Sequence, residues 1–241
     1  MRHEERTRLL ARALERDEPH LCGPEPCPYL QGRMARLGVV VPRPLFPGIY
    51  HSLMDLNFRR LGSVFYRPEC EGCRECRMIR VPVATFRPSR SQRRCLARNG
   101  DVTVANGPPR ATREKHALYR RYLESRHDGQ MDGSSRQFGV LYSSSVETVE
   151  FSYTLADRLI SVGLADIEPG AMSAVYAYFD PDESARSLGT LNVLRLIAEC
   201  RRRGLEYLYL GYYVQDCGRM SYKSSFRPCE ILGADGRWTA H

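Results

Sequence analysis

Cys70, Cys73 and Cys76 stand at C-x2-C-x2-C spacing within Tyr66-Arg67-Pro68-Glu69-Cys70-Glu71-Gly72-Cys73-Arg74-Glu75-Cys76. Thiols this close can share one metal ion or cluster only if the chain turns tightly around it. A tetrahedral zinc ion or a four-iron cluster then needs a fourth donor from elsewhere. Cys27, in the passage carrying Pro24, Pro26 and Pro28, is the candidate fourth ligand, with Cys22 in reserve. Spacing does not separate zinc from iron–sulfur. Cys95, Cys200, Cys217 and Cys229 are scattered and read as small apolar residues.

The total of nine cysteines is odd. The opening Met1-Arg2-His3-Glu4-Glu5-Arg6 leads into an amphipathic, acid-bearing segment rather than an apolar signal core. No apolar stretch of about 18 residues is present, so no membrane span is expected. The chain is therefore expected in the cytoplasm, where a disulfide framework is disfavoured.

Composition is that of a soluble globular protein, with 42% hydrophobic and 27% charged residues. Thirty-six Lys and Arg against 28 Asp and Glu give a net charge of +8, which favours a polyanionic partner. The arginines also cluster. In Phe86-Arg87-Pro88-Ser89-Arg90-Ser91-Gln92-Arg93-Arg94, continuing to Arg98, residues 90, 94 and 98 share one helical face. Arg87 and Arg93 flank it. Each cation can neutralise a phosphate, which would make nucleic-acid affinity salt-dependent.

Periodicity predicts helices at 4–16, about 48–60, 90–98, 112 to about His127, and 188–203 closed by Gly204. Strands are expected at 64–66, 78–84 and 102–105, and residues 20–28 read as an extended loop. Three strands at 149–155, 159–167 and 172–179 are joined by short turns and should form an antiparallel meander. A further strand at 206–212 follows the long helix by a crossover. Gly107-Pro108-Pro109 reads as a linker. It divides a 1–106 transferase domain, with the cysteines and the basic segment, from a 110–241 domain.

Three antiparallel strands, a helix and another strand is the core order of an N-acetyltransferase-like (GNAT) acyltransferase fold. The expected class is α+β, with a mixed, mostly antiparallel sheet flanked by helices and a cysteine-bearing N-terminal region. In that fold an Arg/Gln-x-x-Gly-x-Gly/Ala turn binds the pyrophosphate of coenzyme A. Arg186-Ser187-Leu188-Gly189-Thr190-Leu191 keeps only its first half, so coenzyme A is disfavoured as donor. Amides at the helix start can still hold an anion or a polarised carbonyl. Tyr207 and Tyr209 alternate as core residues do, whereas Tyr212, Tyr222 and Lys223 are the functional candidates of the last segment.

Taken in order, several motifs resemble the arginyl-tRNA–protein transferase family, most closely its bacterial leucyltransferase branch. They are Cys27-Pro28-Tyr29-Leu30, Phe58-Arg59-Arg60, Tyr66-Arg67-Pro68 with its cysteines, and Ser89-Arg90-Ser91-Gln92-Arg93-Arg94. Phe179-Asp180-Pro181, Ser187-Leu188-Gly189-Thr190, Tyr209-Leu210-Gly211-Tyr212 and Met220-Ser221-Tyr222-Lys223 continue the match, which spans residues 20–232. Leu30 stands where eukaryotic relatives that bind an iron–sulfur cluster have a second cysteine.

The resemblance implies transfer of leucine from leucyl-tRNA to the N-terminal amine of proteins beginning with Asp or Glu, feeding N-degron proteolysis. An arginyl-tRNA donor, a coenzyme A-dependent N-acetyltransferase and a non-catalytic zinc-bearing RNA-binding module are the alternatives. The chemistry itself requires no cofactor, because the aminoacyl ester is already activated. Arg87, Arg90, Gln92, Arg93 and Arg94 are the expected tRNA contacts. Arg59, Arg60, Arg80 and Tyr212 are expected at the substrate, since an acidic first residue calls for a cation. Tyr222, Lys223, Gly189 and Asp180 are the catalytic candidates, with Asp166 and Glu168 as further bases. Cys27, Cys70, Cys73 and Cys76 form the metal set.

Overall fold

The computed structural model describes residues 1–42, 45–126 and 132–241. α1 (His3–Arg16), β1 (His20–Pro26), β2 (Met34–Val40), α2 (Ile49–Asp55), β3 (Arg59–Leu61) and β4 (Val64–Pro68) come first. Their strands form an antiparallel sheet in the order β1-β2-β4-β3. β5 (Arg77–Pro82), α3 (Arg90–Arg98), β6 (Thr103–Gly107), α4 (Arg113–Arg126) and α5 (Ser135–Tyr142) follow. β7 (Thr148–Leu155), β8 (Arg158–Glu168) and β9 (Ala171–Phe179) make the expected antiparallel meander. α6 (Leu188–Arg203) crosses over to β10 (Tyr207–Tyr213), and α7 (Gly218–Ser221), β11 (Glu230–Leu232) and β12 (Trp238–Ala240) close the chain.

The main sheet has eight strands in the order β12-β11-β5-β10-β9-β8-β7-β6. Every pairing is antiparallel except β9 with β10. The fold is thus α+β, with a mixed, mostly antiparallel sheet flanked by helices. Of the expected 107–109 linker, Gly107 is the last residue of β6, paired with Glu150, and only residues 108–109 follow the strand. Even so, β5 and β6, which precede them, hydrogen-bond directly to β10 and β7, which follow them.

Strand alternation divides the core. Leu208 and Leu210 of β10 join Ile79, Val81 and the α6 residues Leu191, Leu194 and Ile197 on one face. Tyr209 and Tyr212 join Tyr50, Leu53, Phe58 and Phe65 on the other, under α2 and the small sheet. Val162, Leu164 and Tyr178 meet α4 and α5 through Leu118, Tyr119 and Phe138.

Three local expectations are corrected. Residues 20–26 form a strand rather than a loop, paired with the unforeseen β2. α2 stops at Asp55 rather than near 60 because Asn57 adopts a left-handed φ of 67°. Its side-chain amide also leaves the helix path, bonding the Cys76 carbonyl at 2.9 Å and the Met78 amide at 2.8 Å. α5 has no counterpart among the expected helices; Ser134 caps it by accepting from the Gln137 amide at 3.3 Å. α4 is described to Arg126, and the expected end at His127 lies outside the described residues.

β9 and β10 pair only from Ala171–Ser173 to Tyr207–Tyr209 and then part. Bulges at Tyr209/Gly211 and at Leu164/Ala165 bend the strands on either side of this opening. The wedge so formed positions the candidate site.

Candidate active site

Arg59 enters that wedge from β3. Its Nη2 donates to the carbonyls of Ala174 at 3.2 Å and Val175 at 2.9 Å, which β10 has left unpaired on β9. On the opposite wall the guanidinium meets Gly211 of β10. The side chain is only half-buried, and its buried Nε has no hydrogen-bond partner. Burial pulls against the charge, but the phenols of Tyr66, Tyr50, Tyr29 and Tyr212 outweigh it and keep Arg59 cationic. Arg59 is thus a charged donor in a phenol-walled recess.

Lys223 is 7% exposed and lies within electrostatic reach of Arg59. Burial, reinforced by Arg59, lowers its pKa well below the lysine norm, with Cys217 and Cys76 opposing. Its Nζ donates to the Tyr212 carbonyl at 2.6 Å. A neutral amine held by one hydrogen has a lone pair to offer as a base. Tyr222, next to it, is 48% exposed; burial of its phenol raises the pKa, while Arg59 lowers it.

Tyr122 couples to the Tyr222 phenol and packs its ring on Phe179 at 4.9 Å. A side chain at Gly189 would meet that same Phe179 ring at 3.5 Å. The start of α6 therefore borders the aromatic wall. Its preceding residue, Ser187, gives it no side-chain cap.

Other expected residues are engaged elsewhere. Arg60 is 3% exposed and grips Asp166 through Nε and Nη2, both at 2.7 Å, while Nη1 donates to the carbonyls of Gly62 and Ser143. Successive strand residues face opposite ways, so Arg60 is turned away from the recess that Arg59 enters. Arg80 is clamped between Tyr207 at 3.8 Å and Trp238 at 4.0 Å, and donates to Glu230 at 2.7 Å. Neither arginine has a fork left for a substrate carboxylate.

Asp180 is 1% exposed, paired with Arg121 at 2.7 Å and with Arg158, and accepts from the Asp182 amide. That makes it the cap of a turn, not a base. Asp166 is held by Arg60, and Glu168 accepts from the His51 amide at 3.4 Å. Tyr212 is 1% exposed with its hydroxyl 3.1 Å from the Asn57 carbonyl, so it presents a ring face and a carbonyl to the site.

The four expected thiols do gather. Cys76 is pushed up to about 12 by burial and by Cys27, Cys70 and Cys73, which places all four within electrostatic reach. Cys27 accepts from the Leu30 amide at 3.4 Å, Cys70 from the Arg36 amide at 3.4 Å, and Cys73 from Arg33 Nη1 at 3.3 Å. Soft donors with N–H bonds behind them fit a zinc ion or an iron–sulfur cluster. No three of these sulfurs lie within 4.8 Å of one another, so they stand wider than the ~3.8 Å edge of a zinc–thiolate tetrahedron. When bound, the group would tie the end of β1 to the β4–β5 loop. Cys22 is exposed on β1.

α3 carries the basic face. Arg87, Arg90, Arg93 and Arg94 are exposed, and among the described residues none of them pairs with a carboxylate. Gln92 departs from expectation, being 4% exposed. Its Oε1 accepts from the Ser89 amide at 2.8 Å and its Nε2 donates to the Ser225 carbonyl at 3.1 Å. Instead of meeting a nucleic acid, it completes a capping box and fastens α3 to the turn that bears Lys223. Tyr29 and Tyr66 line the recess without being among the expected site residues. Their only signal in the sequence is a tyrosine in each run that also holds a cysteine or an arginine of the site.

Residues 25–94 match the family model for the N terminus of arginine-tRNA-protein transferase, and residues 114–233 match the model for its C terminus. The aspartate/glutamate leucyltransferase of Pseudomonas aeruginosa (strain LESB58) is 41% identical over 221 residues, spanning 90% of this chain and 94% of its own. That of Pseudomonas putida (strain W619) is 41% identical over 219 residues, spanning 89% and 93%. Among solved structures, FemX aligns with a TM-score of 0.48 at 10% identity, over 74% of this chain and 64% of that chain. Matches of this reach define a transferase acting with tRNA. The chain belongs to the arginine-tRNA-protein transferase family, and relatives at 41% identity are aspartate/glutamate leucyltransferases.

Proposed function

We propose that the chain transfers leucine from leucyl-tRNA to the N-terminal amine of proteins beginning with Asp or Glu, directing them to N-degron proteolysis in the cytoplasm. The observation that carries this reading is Arg59, a charged guanidinium with an unpartnered Nε, filling the wedge between β9 and β10 beside Lys223. The strand order and the parted parallel pair support a GNAT-like acyltransferase scaffold. In the mechanism, the acidic first side chain binds Arg59 by a charge-assisted hydrogen bond. Lys223 takes a proton from the α-ammonium, whose ordinary pKa of about 8 makes this easy.

The freed amine attacks the ester carbonyl, forming the C–N bond. Collapse breaks the C–O bond to the terminal ribose; the proton on Lys223 passes to the departing ribose oxygen, and Lys223, neutral again, takes the second proton from the newly acylated nitrogen and gives it up to solvent. Tyr222 and the amides near Gly189 would donate to the oxyanion. The exposed arginines of α3 hold the tRNA backbone. Tyr29 lies two residues beyond Cys27, so a metal on the thiols would position one wall of the recess.

Arg186 argues against a coenzyme A donor. It is paired with Asp101 at 2.8 Å and Glu183 at 2.9 Å, and so is neutralised where a pyrophosphate would need it. Charged leucyl-tRNA and peptides with N-terminal Asp, Glu or Ala, followed by mass spectrometry, test the proposal. Leucine should appear on the first two peptides only. A parallel assay with arginyl-tRNA separates the donors, and no transfer from either tRNA would end the reading.

A further inference from the structure

His51 and Asp55 lie four residues apart on α2, and so on one face of it. His3, at the start of α1, meets them there. The two imidazoles stack with centroids 3.9 Å apart, and His3 Nε2 lies 2.8 Å from Asp55 Oδ2. One ligand atom from each of the three lies within 4.8 Å of the other two; among the described residues no other group of His, Cys, Asp or Glu does this.

The hydrogen bonds behind these groups aim them inward. His51 is 4% exposed, and its Nδ1 lies 2.9 Å from the Pro169 carbonyl. A carbonyl can only accept, so Nδ1 carries the hydrogen and Nε2 the lone pair. That Nε2 is buried and has no hydrogen-bond partner. The second oxygen of Asp55 accepts from the Tyr209 hydroxyl at 2.5 Å and Arg80 Nη1 at 3.3 Å, which orients the first toward His3.

We propose that His3, His51 and Asp55 form a site for a divalent transition-metal ion, separate from the thiol cluster. Two imidazoles and one carboxylate suit borderline cations such as zinc or cobalt, with the remaining positions taken by water. The ion replaces the His3–Asp55 pair and pins α1 to α2. It uses no thiol and no residue of the Arg59 recess.

Cobalt distinguishes the two sites, because thiolate ligands give an intense near-ultraviolet charge-transfer band and imidazole with carboxylate does not. Tag-free, full-length, chelator-stripped protein is titrated with Co2+. One equivalent with weak visible bands and no sulfur band is expected, in addition to any thiolate-bound cobalt. In His3→Asn and in His51→Gln this equivalent should weaken by more than the ~10-fold typical of losing a hydrogen bond behind a ligand. The thiolate band and the circular dichroism should not change; His3, whose side chain is 30% exposed, is the milder change. Cobalt binding through thiolates alone, or sulfur-free binding of equal strength in both variants and the unaltered protein, would overturn the proposal and leave a hydrogen-bonded His3–Asp55 pair with a stacked imidazole.

Discussion

The guanidinium of Arg59 lies against the α-carbon of Gly211, so close that a methyl group there would come within 2.2 Å of Nη1 and 2.6 Å of Cζ. Gly211 also has a φ of 81°, a conformation L side chains rarely adopt. β10 thus yields a side chain at the one point where an arginine from another sheet needs the room. Gly211→Ala should displace Arg59 and weaken recognition of acidic N-termini. Arg59→Lys should do so without filling the wedge. Each is expected to lower kcat/KM for Asp- and Glu-initiated peptides by about 10- to 100-fold, the worth of a charge-assisted hydrogen bond, chiefly through KM. Unaltered discrimination against Ala-initiated peptides in Arg59→Lys would remove Arg59 from substrate recognition.

Lys223→Met should cost about 10²- to 10⁴-fold in kcat/KM, the usual contribution of a positioned base. Its pKa is depressed by burial and then by Arg59, so unaltered protein should gain activity as pH rises through that lowered value. The sign for stability runs the same way. The unfolded chain binds this proton more tightly, so stability increases with pH up to the ordinary lysine pKa. Lys223→Met removes a buried amine and should unfold at no lower urea concentration. A fall in activity with an unchanged pH profile would assign Lys223 a packing role.

Arg60 and Asp166 have side chains 1% and 0% exposed. Removing one partner strands the other charge in the core. Asp166→Asn and Arg60→Met should each lose about 3–5 kcal/mol in urea denaturation.

Because Cys76 is raised to about 12 by burial and its three neighbouring thiols, metal uptake must release protons. Affinity should fall as pH falls. Cys73→Ser should reduce the metal content of anaerobically prepared protein by elemental analysis and lower its melting temperature.

Replacing Arg90, Arg93 and Arg94 together by Ala should weaken tRNA binding and flatten its dependence on salt. The slope should drop by up to about three, near one for each phosphate no longer neutralised. Equal slopes would make α3 merely a solvated face.

The meander, α6, its Gly204 stop and the basic α3 were all legible in the sequence because each rests on local periodicity. The gathering of Cys27 with the three adjacent thiols of residues 70–76 was legible too. Arg59 and Arg60 could not be told apart, because the carboxylate that claims Arg60 lies 106 residues away in β8. Gln92 was misread for a related reason. Its capping box is written in Ser89-Arg90-Ser91-Gln92, yet its tie to Ser225 crosses 133 residues. Asp180 likewise gave no sign of its two arginines. Side chains committed by distant partners are where a linear reading fails.

β5 and β6 are donated to the main sheet from before residues 108–109, and β7 to β12 from after them. A cut there would leave two fragments, each with raw strand edges and neither able to finish folding alone. Co-produced, they should reassemble through the β5–β10 and β6–β7 ladders. The two stretches recognised as separate family segments would therefore be inherited as one piece, poorly suited to shuffling as modules.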